Sequence, residues 1–73
     1  MREYLKNLRA MRGLSQQEVA DKISISQNYY CYIENGERQQ DISLGLLQKL
    51  SAVLEVPLDQ LIEAENDYKA KLA

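Results

Sequence analysis

Apolar residues in this chain fall three and four apart, strict alternation is missing, and turn signals recur about every 10 to 20 residues, which predicts a bundle of short helices. The first helix spans about Arg2 to Met11, with Tyr4, Leu5, Leu8 and Met11 as its apolar stripe. Arg2, Lys6 and Arg9 lie within about 60° of one another beside that stripe, Arg12 lies nearer its edge, and Gly13 ends the helix. Ser15 and Glu18 have the spacing of a capping box, with Leu14 and Val19 as its hydrophobic staple, so a second helix runs from Gln16 to about Ile23. Only Ser24 and Ile25 precede the next cap, Ser26. The third helix, Gln27 to Asn35, therefore crosses the second steeply and stops at Gly36. After a polar loop from Glu37 to Ile42, Ser43 caps a fourth helix carrying Leu44, Leu47, Leu50, Ser51 and Leu54. Pro57 opens a fifth, with Leu58, Leu61 and Ile62 inward and Asp59 near its positive end. The expected domain is residues 1–64. Residues 65–73 read as a polar C-terminal tail, itself open to helix formation, in which Tyr68 and Leu72 are the large apolar residues.

Seventy-three residues make one domain at most, and 45% hydrophobic content feeds one small core. No apolar run approaches the ~18 residues of a membrane span, and Met1 to Ala10 has no signal-peptide core, so the expected location is the cytoplasm. Histidine is absent and Cys31 stands alone, which removes intramolecular disulfides, Cys/His zinc sites and His-dependent catalysis. An enzyme is remote on these grounds, and no cofactor or metal is expected. The acidic set Glu55, Asp59, Glu63, Glu65 and Asp67 lacks the alternation and central glycine of a calcium loop. Cys31 reads as a small helical residue without a role. The net charge of −2 hides a split: residues 1–38 hold six Lys/Arg against five Asp/Glu, residues 39–73 three against six.

The second and third helices place Val19, Ile23, Ile25, Tyr30 and Ile33 where they must meet, with small Ala20 at their closest approach. Through Gly13-Leu14-Ser15-Gln16-Gln17-Glu18-Val19-Ala20, Ile33-Glu34-Asn35-Gly36-Glu37-Arg38 and Leu54-Glu55-Val56-Pro57-Leu58-Asp59-Gln60-Leu61, the chain resembles the phage-repressor-like (Cro/repressor, XRE) helix-turn-helix family over about residues 2–62. The resemblance implies an all-α, compact five-helix, lambda-repressor-like DNA-binding domain. Three features depart from the pattern. Ser24 stands where the turn usually has glycine, Glu55 where a glycine often ends the fourth helix, and Gln39 to Ile42 lengthen a loop that usually contains proline. A left-handed Ser24 would cost roughly 1–2 kcal/mol.

The family's third helix lies in the major groove, which implies Gln27, Asn28 and Tyr32 as base readers. Their chemistry suits the role: Gln and Asn amides match adenine N6 and N7, each good pair being worth about 1–3 kcal/mol of discrimination. Tyr29 is expected nearer the DNA backbone, with Gln16, Arg9, Arg12 and Arg38 as further backbone contacts. So few cations predict a shallow salt dependence and weak non-specific binding. Ordinary readings compete at each position. Gln27 and Asn28 suit a solvated first turn, and the Arg2, Lys6 and Arg9 stripe suits a solvated face. Tyr30 belongs to the core, whereas two outward tyrosines beside it favour a functional use. The family commonly works as a two-fold homodimer spanning half-sites about one helical turn apart, and Leu58, Ile62, Tyr68 and Leu72 are the expected pairing surface, the alternative being a frayed tail with Leu58 and Ile62 simply in the core. The resemblance implies a small transcriptional regulator, a repressor of a bacterium or its mobile element, bound to double-stranded DNA. The alternative is a protein-interaction module of the same fold, an antitoxin or an inhibitor of a partner regulator.

Overall fold

Three serines set where helices begin. The computed structural model describes residues 1–36 and 41–72, which form α1 (Glu3–Met11), α2 (Gln16–Lys22), α3 (Gln27–Asn35), α4 (Leu44–Leu54) and α5 (Leu58–Leu72), with no strand among the described residues. Ser15 accepts from the Glu18 amide at 3.1 Å while Glu18 Oε1 accepts from the Ser15 amide at 2.9 Å, a complete capping box. Ser26 and Ser43 accept from the amides of Tyr29 and Leu46 in the same way. Each cap satisfies a donor that the first helical turn leaves without a partner.

Helix ends use left-handed residues. Gly13 and Gly36 have φ of +67° and +71°, while Ser24 and Glu55 reach +61° and +56° without the glycine that usually occupies such positions. After Gly13, Ser24 and Glu55, the amides of Leu14, Ile25 and Val56 return to carbonyls five residues back, those of Arg9, Ala20 and Ser51. These bonds hold the turns in a conformation their side chains disfavour.

The core consists of Leu5, Val19, Ala20, Ile23, Tyr30, Ile33, Ile42, Leu47, Leu50, Leu54 and Leu61. The closest helix pairs are α2 with α3 and α4 with α5, and α1 rests on α3. This frame turns one face of α3 inward and leaves the other open.

Two expectations from periodicity are corrected. Met11 and Leu44, assigned to inward stripes, are 80% and 56% exposed, whereas Arg2, assigned to a solvated face, is 0% exposed. Leu5 of the α1 stripe is buried and Tyr4 and Leu8 pack against the core, but the inward side of this segment also takes in Arg2 and Arg9, whose guanidinium groups find carboxylates inside. The segment expected as a tail, open to helix formation, continues α5 to Leu72, and Glu65 within it is buried against Arg2.

Candidate nucleic-acid interface

Buried Tyr30, Ile33 and Glu34 form the inner side of α3, which leaves Gln27, Asn28 and Tyr29 exposed and Cys31, Tyr32 and Asn35 half-buried. At about 100° per residue, Asn28, Tyr32 and Asn35 share the outward face with Tyr29 at one edge, while Gln27 lies about 20° from Glu34 around the axis and is exposed at the start of the helix. The structure thus brings two of the three expected base readers, Asn28 and Tyr32, onto one helix face and leaves Gln27 exposed in the first turn beside it. Asn35 joins that face at its C-terminal end and donates to Cys31 Sγ at 3.3 Å.

The expected backbone contacts divide. Gln16 is half-buried and donates Nε2 to Glu34 Oε1 at 3.1 Å. Arg9, expected to face phosphate, has all three nitrogens engaged inside the chain. Its Nε and Nη2 meet the Glu34 carboxylate at 3.0 and 2.9 Å, and Nη1 meets the Leu14 carbonyl at 3.0 Å. A bidentate partner and a carbonyl together hold the guanidinium better than a solvated phosphate-facing pose would. Arg12 donates to the carbonyls of Leu54 at 3.0 Å and Glu55 at 3.4 Å, tying the end of α1 to the end of α4, while its pairing with the Glu55 carboxylate at 3.5 Å is solvent-exposed. Arg38 lies outside the described residues.

Glu34 is the organiser that sequence reasoning missed. One buried carboxylate joins Arg9 of α1 and Gln16 of α2 to the inner side of α3. Burial alone would raise its pKa, but the hydrogen bonds from Arg9 and Gln16 outweigh that and hold it below the ordinary value. The Arg9 guanidinium is raised in turn, chiefly by its hydrogen bond to Glu34. The Tyr30 hydroxyl, buried near this pair, makes no hydrogen bond within 3.5 Å among the described residues. Its pKa is pushed up, first by burial and then by the neighbouring carboxylate. The available signal was a charged residue between apolar Ile33 and the helix-ending Asn35-Gly36, on the same side of α3 as Tyr30.

A helix-turn-helix family model matches residues 5–61, a span that contains the α2–α3 pair and its outward face. The chain belongs to the helix-turn-helix family. This helix-turn-helix chain is 37% identical over 67 residues to the uncharacterized HTH-type transcriptional regulator YqaE of Bacillus subtilis, covering 92% of the chain and 56% of that protein. It is 33% identical over 72 residues to the HTH-type transcriptional regulator SinR of Bacillus subtilis, covering 96% and 64%. To the cryptic phage CTXphi transcriptional repressor RstR of Vibrio cholerae it is 33% identical over 69 residues, covering 93% and 60%. The chain thus spans under two thirds of the length of each.

Of the expected pairing surface in this helix-turn-helix chain, Leu58 and Ile62 are half-buried against the core, Tyr68 lies on Arg2, and Leu72 is exposed. Among the described residues no helix is long and apolar enough to cross a membrane, and no group of His, Cys, Asp or Glu side chains is arranged to hold a metal ion.

Proposed function

We propose that this chain is the sequence-reading DNA-binding domain of a small bacterial or phage transcription regulator, acting as a repressor in the cytoplasm. The observation that carries this reading is the open face of α3, with Asn28 and Tyr32 outward, Gln27 exposed in the first turn and the opposite face locked by Tyr30, Ile33 and Glu34. Rigid presentation matters because a bidentate amide-to-adenine contact is worth about 1–3 kcal/mol only when the side chain arrives already oriented. Gln16, Tyr29, Arg12 and Arg38 make backbone contacts that set register, while Arg9 acts from behind by holding Glu34 and, through it, Gln16. A regulator named for a phage repressor among the relatives supports repression as the outcome.

One module reads too few base pairs to select a locus, so two copies bind half-sites about one turn apart, paired through Leu58, Ile62, Leu72 and the outer edge of Tyr68. Enrichment of binders from random duplexes tests the reading. Asn28→Ala relaxes base preference at one position by about 1–3 kcal/mol, while Tyr29→Phe weakens all sequences alike without changing preference. Retention of no duplex at low salt would end the DNA reading. It would leave the alternative that the acidic skew of residues 39–73 favours, a module that grips a protein partner. Sedimentation of the full chain on the enriched site checks pairing: one copy per duplex at saturation removes the dimer.

A further inference from the structure

Arg2 is a buried cation that the reading above does not use. Its backbone amide donates to the Glu34 carbonyl at 2.7 Å, and Nη1 donates to the Ile33 carbonyl at 2.7 Å. Those carbonyls are among the last four of α3, that of Ile33 also accepting from the Gly36 amide at 3.3 Å, and a positive charge is favoured at this end of a helix. The rest of the guanidinium is fixed from α5. Nε and Nη2 meet the two Glu65 oxygens at 2.9 Å each, and the guanidinium carbon lies 4.6 Å from the centre of the Tyr68 ring. Tyr4 steadies Glu65 further, its hydroxyl donating to Oε1 at 2.6 Å.

The next residues of α5 reach the chain that follows α3. A side chain at Gly36 would collide with the Tyr68 hydroxyl, and Lys69 pairs with Asp41. Consecutive residues of α5 therefore touch both flanks of residues 37–40. Arg2, Glu65, Tyr68 and Lys69 all lie outside residues 5–61, the span the family model matches. The end of the reading helix is thus gripped by residues supplied from either side of that span. Stability alone gives little reason for such a pair, since a buried ion pair can often be exchanged for apolar side chains of similar volume without loss. What apolar side chains cannot supply is a charged donor aimed at the Ile33 carbonyl, since the backbone amide of residue 2 meets only that of Glu34.

We propose that Arg2 is a positioning residue for DNA reading: held by Glu65 and Tyr68, it caps the C-terminal end of α3 from across the fold and sets how the Tyr32 end of the helix is presented. This rests on the DNA-binding reading above. Without the cap the last turn of α3 frays, while its first turn, held by Ser26 and the turn before it, keeps its pose. The consequence is local. Selectivity falls where Tyr32 reads and stays where Gln27 and Asn28 read.

Two full-length variants test the proposal, Glu65→Gln and the volume-preserving double variant Arg2→Met/Glu65→Leu, the second guarding against misfolding of the first. Exchange of the Gly36 amide, which bonds to the Tyr32 carbonyl, is measured against the Gly13 amide at the end of α1 as an internal control. The expected result is exchange roughly tenfold faster or more at Gly36 in the double variant, the scale of losing one charge-assisted hydrogen bond, with Gly13 unchanged. On the enriched duplex, base preference relaxes at the position that Tyr32→Ala also relaxes and holds at the position that Asn28→Ala relaxes. Unchanged Gly36 exchange in a folded double variant overturns the proposal, as does a uniform loss of affinity across all positions. A wild-type chain that retains no duplex removes the DNA reading, and the Gly36 exchange then still decides whether Arg2 caps α3.

Discussion

Ser24 and Glu55 hold φ angles of +61° and +56°, where an L side chain crowds the carbonyl that follows it. The left-handed region costs a non-glycine residue roughly 1–2 kcal/mol, whereas glycine enters it freely but loses about 0.5–1 kcal/mol more chain entropy on folding. The difference favours glycine. Ser24→Gly and Glu55→Gly are each expected to raise unfolding free energy by about 0.5–1 kcal/mol, read from urea midpoints at unchanged m-value. The exposed pairing of Glu55 with Arg12 at 3.5 Å offsets little of this gain, since such pairs contribute about 0–1 kcal/mol. A loss of stability in either variant would mean that the turn depends on its side chain rather than tolerating it.

At the scale of elements, helix ends distinguish two glycines that look alike in the chain. Both are left-handed, but a side chain at Gly13 meets nothing within 4 Å, whereas one at Gly36 meets the Tyr68 hydroxyl. Gly36→Ala is therefore expected to cost more than Gly13→Ala, the first exceeding the roughly 1–2 kcal/mol of backbone strain common to both. Equal losses in thermal unfolding would mean that Tyr68 moves aside freely. Caps were legible in the sequence because their chemistry is local: Ser15, Ser26 and Ser43 each act on an amide three residues away. The open face of α3 was legible too, since Tyr30 and Ile33 fix which side is inward. The face of α1 was not. Periodicity weighs apolar residues and cannot foresee that Arg2 and Arg9 will meet carboxylates 63 and 25 residues away. For the same reason residues 65–72 read as a tail: their apolar pattern is thin, and what buries Glu65 is a charge at the other end of the chain.

For the molecule as a whole, two carboxylate hubs, Glu34 and Glu65, join the helices. Burial pushes Glu34 upward, but the bonds from Arg9 and Gln16 prevail and keep it below the ordinary glutamate value of 4.5. A depressed folded value means that its stabilisation is fully present above pH ~4.5 and drains away as pH falls through the folded value. Glu18, lowered chiefly by the Ser15 amide, acts in the same direction. The chain contains no histidine, the side chain whose ordinary pKa lies between pH 5 and 8. Stability is thus expected to be flat from neutrality to about pH 5 and to fall below it, and Glu34→Gln should narrow the gap between urea midpoints at pH 6 and pH 3. An unchanged gap would remove Glu34 as the acid-sensitive hub. The contact between residue 2 and residue 65 has a mechanical consequence as well. A force applied to the two ends is transmitted through the Arg2–Glu65 clasp before it reaches the hydrophobic interior, so under tension the body opens like a ring cut at its fastening and not like a string of helices peeled one by one.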